Sequence, residues 1–89
     1  MDNISLLRNK IDEIDEKLLY LLNKRAAYAI EIGKIKVQRN MNICDPEREK
    51  TIIEHVRKKN YGPLSGDSVQ RLFEVLIEES KRLEDLSDT

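Results

Sequence analysis

The chain has 89 residues, of which 39% are hydrophobic and 37% charged, and this composition predicts one small helical domain over residues 1–89. Its 16 Lys and Arg against 17 Asp and Glu give a net charge of -1, which does not suggest a nucleic-acid partner. The sequence contains neither an apolar run long enough for a membrane span nor an N-terminal signal peptide. Because the single cysteine, Cys44, cannot form an internal disulfide, we expect a cytoplasmic protein.

The first predicted helix is very long and covers about residues 4–39. Its apolar residues recur in alternating steps of three and four, which is typical of a helix whose apolar face packs against other helices. They are Ile4, Leu7, Ile11, Ile14, Leu18, Leu21, Tyr28, Ile32 and Ile35. Such a helix is about 50 Å long, whereas a compact domain of this size is about 30 Å across. Because one chain cannot cover this face, the pattern predicts an intertwined helical homodimer.

Arg25 stands where the next apolar residue after Leu21 should be. A guanidinium group on such a face is costly to desolvate unless an anion meets it, although for Arg25 alone the side chain could also escape to water. Lys36 follows eleven residues later, within about 20° of the same face. Arg8 lies about 25 Å away along the helix, so only an antiparallel partner chain could bring it to the same pocket. The pattern therefore predicts an anion site around Arg25 and Lys36.

The second predicted helix covers residues 46–59. Asp45 and Pro46 are typical of an N-cap followed by the first helical residue. Arg48 and Glu49 continue the apolar face of this helix toward its start. We therefore expect both charged side chains at its buried end.

A loop with two glycines and a proline precedes the third predicted helix, residues 67–86, so the fold is predicted to be all-α with three helices. On this helix Ser80 and Glu84 extend an apolar face that contains Ile77. Residues 86–89 are expected to fray. With the cations of the first two helices, these groups predict a mostly enclosed cationic pocket that suits a small ligand with two carboxylates.

Five segments of the sequence resemble the all-helical, AroQ-type chorismate mutases, in that family's order and spacing. They are LRNKID (7–12), LLNKR (21–25), IGKIK (32–36), DPERE (45–49) and IEES (77–80). The resemblance implies the conversion of chorismate to prephenate, in the shikimate route to phenylalanine and tyrosine, without a metal or cofactor. It also implies an intertwined dimer whose two active sites are each completed by Arg8 of the other chain.

Carried over by position, the resemblance assigns the substrate's two carboxylates to Arg25 and to Arg8 of the partner chain. Ser80 would assist at the ring carboxylate. Lys36 would donate a hydrogen bond to the ether oxygen, with Arg48 supporting that cationic wall.

The remaining assignments concern the ring hydroxyl and a second donor. The resemblance implies that Glu49 and the backbone at Asp45 bind the ring hydroxyl. Glu84 stands where many members of the family have a glutamine that donates to the ether oxygen. A carboxyl group can do so only when it is protonated.

Other functions stay open at the level of sequence. An isochorismate-pyruvate lyase shares this fold and acts on the isomeric substrate. A helical dimer could instead bind a metabolite of the aromatic pathway without turnover, as a sensor or as part of a fused enzyme, or could serve as a plain adaptor.

Overall fold

The computed structural model describes residues 2–86 of the chain, which form three α-helices and no strand. The helices are α1 (Asn3–Gln38), α2 (Pro46–Lys59) and α3 (Gly66–Leu86). The predicted all-α fold with three helices is therefore confirmed. Met1 and residues 87–89 lie outside the described part, and so does most of the segment expected to fray.

Helix α1 forms one continuous rod because nothing in its sequence interrupts it. Its 36 residues correspond to about 54 Å at 1.5 Å per residue, and the molecule measures 56 × 26 × 14 Å. At its start, the Asp2 carboxylate accepts a hydrogen bond from the Ser5 N–H at 2.7 Å, and this bond lowers the pKa of Asp2. At its end, Asn40 adopts a φ of 53°, and this left-handed residue turns the chain toward α2.

Local capping explains where the two shorter helices begin. The Asp45 carboxylate accepts the Arg48 N–H at 3.1 Å and caps α2, as the sequence predicted. Ser65 caps α3, because its hydroxyl accepts the Ser68 N–H at 3.1 Å. Near the end of α2, Arg57 donates hydrogen bonds to Asp67 at 3.0 Å and to Gln70 at 2.8 Å. These contacts tie the end of α2 to the start of α3.

The core of a single chain is small. Helix α3 packs against both α1 and α2, and the buried apolar residues are Ala29, Val69 and Ile77. By contrast, the apolar positions of α1 from Ile4 to Leu21 that follow the alternating pattern are 49–60% exposed. One chain thus leaves the first half of that face uncovered. Despite its length, α1 is not apolar enough to cross a membrane, and neither are the other helices in residues 2–86.

Candidate active site

The candidate site is a cleft between α1 and α2, with α3 as its floor. A cavity of about 350 Å³ and a smaller one of about 60 Å³ lie here and share most of their lining. Every site residue predicted from the sequence, except Arg8, lines one or both. These residues are Arg25, Lys36, Asp45, Arg48, Glu49, Ser80 and Glu84. The fold therefore brings together, from three helices and one loop, side chains that are far apart in sequence.

Arg25 points from α1 onto α3. Its Nη1 donates hydrogen bonds to the Ser80 hydroxyl and, at 3.4 Å, to the Leu76 carbonyl oxygen. Ser80 in turn donates to the Leu76 carbonyl at 3.0 Å. The guanidinium group is thus partly buried and held in the cleft, rather than extended into water.

Lys36 and Glu84 form an ion pair at the other end of the cleft. The Lys36 Nζ lies 2.7 Å from Glu84 Oε1, and the two side chains are only 12% and 9% exposed. Lys36 also donates a hydrogen bond to the Ile43 carbonyl at 3.0 Å. Because burial of either charge alone would be costly, each compensates the other. Glu84 therefore faces the cavity, where it accepts a hydrogen bond from Lys36.

The start of α2 supplies the opposite wall. The Asp45 carboxylate caps the helix, and the Asp45 backbone carbonyl accepts a hydrogen bond from the Glu49 N–H at 3.0 Å. Within residues 2–86 the Asp45 backbone N–H donates no hydrogen bond, so it is able to donate one to a ligand. Both Asp45 and Arg48 are exposed in a single chain, so the expectation of a buried Arg48 is not met within one chain. The physical reason is that α1 and α2 both pack on α3 but leave the cleft between them open. That the pocket is mostly enclosed stays a prediction, because the predicted site includes a partner chain.

Sequence reasoning missed Lys81, which lines the smaller cavity. Its Nζ lies 2.8 Å from Glu78 Oε1 on the same helix and 3.5 Å from Glu49 Oε2 on α2. The pairing with Glu78, three residues earlier, could be read from the sequence. The contact with Glu49 could not, because it depends on how α2 and α3 pack.

Apolar residues complete the lining of the cleft. The ones that sequence reasoning did not place there are Tyr28, Ala29, Ile32, Ile43 and Ile52. Tyr28 and Ile32 belong to the apolar pattern of α1, and their periodicity indicates a packed face but not what covers it. They form the apolar wall beside Arg25.

Arg8 is the predicted site residue that the structure of one chain does not bring to the cleft. It is exposed and lies seventeen residues before Arg25, about 25 Å along the same straight helix. No bending within the chain could bring it to the cleft while α1 stays helical.

The electrostatics of the cleft suit an anion. Arg25, Lys36 and Arg48 face it from two helices, while the Lys36 charge is partly offset by Glu84. Residues 2–86 contain no group of three or more His, Cys, Asp or Glu side chains placed to hold a metal ion. Fixed guanidinium and ammonium groups beside an apolar wall can bind the carboxylates of a small cyclic ligand and stabilise negative charge that develops on one of its oxygens.

Comparison with known proteins identifies the family. The family model for chorismate mutase type II matches residues 7–85. The chain therefore belongs to the chorismate mutase type II family. The resemblance drawn from the sequence motifs is confirmed.

Individual relatives agree with this assignment. A chorismate mutase from Methanocaldococcus jannaschii is 37% identical over 86 residues, which cover 94% of this chain and 86% of the relative. A bifunctional chorismate mutase/prephenate dehydratase from Pseudomonas aeruginosa is 35% identical over 88 residues, or 93% of this chain. The chain spans only 24% of that longer relative.

Solved structures share the fold as well. Form II of the chorismate mutase from Thermus thermophilus superimposes with a TM-score of 0.94 and 27% identity. The match covers 99% of this chain and 100% of that one.

Proposed function

We propose that this chain, acting as a single domain, converts chorismate to prephenate. The observation that carries the proposal is the cationic cleft, in which Arg25 and Lys36 are each held by a group on α3 in a chain of the chorismate mutase family. Chorismate is a small cyclic compound with two carboxylates and an ether oxygen. Its carboxylates and ether oxygen can pair with the cations of the cleft, and its size suits the cavity of about 350 Å³.

The reaction is an intramolecular [3,3] rearrangement, in which a C–O bond breaks while a C–C bond forms. Negative charge builds on the ether oxygen as the C–O bond breaks. The protein needs no nucleophile for this step. It must hold the flexible substrate in its compact conformer and place fixed positive charge at that oxygen.

The first half of the proposed mechanism uses the cations. Arg25, positioned by Ser80, binds one carboxylate in the forked geometry that a guanidinium group favours. Lys36 donates to the ether oxygen, and Arg48 adds positive charge to that wall. The Lys36 ammonium is already in the cleft, so little reorganisation is needed when the transition state forms.

The second half uses hydrogen bonds. Glu49 and the Asp45 N–H bind the ring hydroxyl, which fixes the ring in the cleft. Glu84 acts as a second donor to the ether oxygen when it is protonated, and Lys36 is then released from the ion pair to donate to the same oxygen.

The proposal includes an intertwined homodimer in which Arg8 of one chain completes the site of the other. The support is the apolar face of α1 between Ile4 and Leu21, which is 49–60% exposed in one chain. Burying each of these leucine or isoleucine side chains against a partner chain contributes on the order of 1 kcal/mol to the stability of the dimer. A partner chain also removes the difficulty that Arg8 lies about 25 Å from Arg25. The cytoplasmic location stays a prediction from the sequence.

The direct test is to incubate the purified chain with chorismate and to follow substrate loss together with prephenate formation. We expect chorismate to be lost and prephenate to be formed at the same rate. The Arg25→Ala variant at equal concentration serves as the control for contaminating activity. No loss of chorismate at micromolar protein would overturn the proposal. A parallel incubation with isochorismate separates the alternatives, because release of pyruvate would indicate a lyase instead.

A further inference from the structure

Glu49 presents an electrostatic problem that the proposed mechanism does not solve. Its carboxylate lines the smaller cavity, which also receives the carboxylates of Asp45 and Glu84. A substrate with two negative charges is repelled by each ionised carboxylate in this wall. Glu84 is compensated by Lys36, and the Asp45 carboxylate is engaged in the α2 cap. Glu49 needs a cation of its own.

Lys81 supplies that cation from α3. Its Nζ lies 3.5 Å from Glu49 Oε2, and both side chains are partly buried, 27% exposed for Lys81 and 31% for Glu49. The hydrogen bond that Lys81 donates to Glu78, followed by the attraction of Glu49 and Glu78, raises the pKa of Lys81. The ammonium group therefore keeps its charge at and above neutral pH.

The two carboxylate oxygens of Glu49 have different contacts. Lys81 approaches Oε2 at 3.5 Å, and the Cys44 thiol lies 3.8 Å from the same atom. Within residues 2–86, no side chain forms a hydrogen bond or an ion pair with Glu49 Oε1. One oxygen is thus held by Lys81, while the other can accept a hydrogen bond from a ligand.

We infer that Lys81 is a positioning residue, which holds Glu49 Oε2 so that Oε1 is directed at the ring hydroxyl of the substrate. This inference rests on the proposed function, because it assigns a partner to Glu49 in that site. Lys81 lines the smaller cavity, but its ammonium group lies against Glu49 and Glu78, and it acts on the substrate through Glu49. It also offsets the Glu49 charge, which would otherwise weaken binding of a dianion.

Lys81 also pairs with Glu78, and a purely structural role would rest on that contact alone. The geometry differs between its two partners. Glu78 lies on the same helix and its side chain is 62% exposed, so its pair with Lys81 contributes little to stability. Glu49 lies on α2 and lines the cavity. Variants at Glu78 and Glu49 therefore separate the structural role from the positioning role.

The test compares steady-state kinetics of the full chain with chorismate. The ring hydroxyl is bound in both the ground state and the transition state, so loss of its alignment raises KM more than it lowers kcat. We expect Lys81→Met to raise KM about three- to tenfold with kcat changed less than about twofold, and Lys81→Arg to restore most of the loss. Glu78→Gln, the matched control, should leave both constants unchanged. Thermal unfolding of each variant checks that it is folded.

A double variant gives the decisive comparison. If Lys81 acts through Glu49, Lys81→Met causes no further rise in KM when Glu49→Gln is already present. For a substrate analogue that lacks the ring hydroxyl, Lys81→Met should raise KM less than for chorismate, because only the effect of the uncompensated Glu49 charge remains. An equal rise in the presence and absence of Glu49→Gln would overturn the inference, because Lys81 would then act by another route.

The remaining outcomes separate this inference from the proposed function. If wild-type protein converts chorismate and Lys81→Met has wild-type constants, Lys81 is not a positioning residue and the proposed function stands. If Glu49→Gln is silent, Glu49 does not bind the hydroxyl, and Lys81 has nothing to position. If the wild-type chain has no activity on chorismate, the proposed function fails first and the inference fails with it.

Discussion

Complementation between two inactive variants tests the arrangement of the site across two chains. Arg8 and Arg25 lie about 25 Å apart on one straight helix, so a single ligand cannot contact both in the same chain. If each site combines Arg25 of one chain with Arg8 of the other, Arg8→Ala and Arg25→Ala each disable both sites of their own homodimer. A mixed dimer is different, because one of its two sites receives both arginines and the other receives neither.

The size of the rescue follows from counting sites. Each variant loses a charge-assisted contact to a carboxylate, which corresponds to about 3 kcal/mol, or more than a hundredfold in kcat/KM. When equal amounts are unfolded together and refolded, about half of the dimers are mixed, and one site in two is intact in each. About one quarter of all sites are then active, so the mixture should recover about 25% of wild-type activity.

A mirror experiment provides the control. Wild-type chain mixed with the double variant Arg8→Ala/Arg25→Ala has half of its sites intact before exchange. After exchange every mixed dimer has two disabled sites, and activity should fall by about half. The assay in both cases is chorismate consumption at matched total protein. If the two single variants gain no activity on exchange while sedimentation shows that mixed dimers have formed, Arg8 does not complete the partner's site.

Three further outcomes are expected. Arg25→Ala and Lys36→Ala should each lower kcat/KM by about 10²- to 10⁴-fold, since each leaves a substrate oxygen without its cation; wild-type kinetics in either would show that the site is misplaced. Lys36→Ala should also lower the unfolding temperature, because it leaves the buried Glu84 without its cation. Arg25→Leu should be inactive yet unfold at a temperature no lower than wild type, because Ser80 keeps its hydrogen bond to the Leu76 carbonyl and the apolar face of α1 is restored. Glu84→Gln should keep kcat/KM at or above the wild-type value, because an amide N–H donates to the ether oxygen, whereas Glu84→Leu should lower it; wild-type kinetics for Glu84→Leu would exclude the donor role.

The helices and most of the candidate site could be predicted from local patterns in the sequence. The spacing of apolar residues placed Arg25 and Lys36 on one face of α1, and an Asp-Pro pair marked the start of α2 at Asp45. Each of these features depends only on residues within a few turns of one another. Periodicity alone assigned Ser80 and Glu84 to the face of α3 that lines the cleft.

Features that depend on packing between helices were not accessible in this way. The contact of Lys81 with Glu49 requires α2 and α3 to meet in one particular register. The bond from Lys36 to the Ile43 carbonyl depends on the path of the loop between α1 and α2, for which the sequence offers no regular pattern. The exposure of Arg48 in a single chain also escaped prediction, because a helical pattern shows which side is apolar but not how far a neighbouring helix covers it.

Different helices supply the positive charges and the groups that hold them, and this explains how such a small chain can maintain a cluster of positive charges. Arg25, Lys36 and Arg48 come from α1 and α2, whereas the groups that hold two of them come from α3, namely Ser80 for Arg25 and Glu84 for Lys36. Without α3, repulsion among the cations and their tendency to remain hydrated would spread them into water. With α3 in place, they are fixed before the substrate arrives, and electrostatic catalysis requires this condition because charge must already be positioned when it is needed. The Lys36–Glu84 pair holds Lys36 in the cleft, and in the proposed mechanism the two side chains exchange this contact for contacts with the ether oxygen.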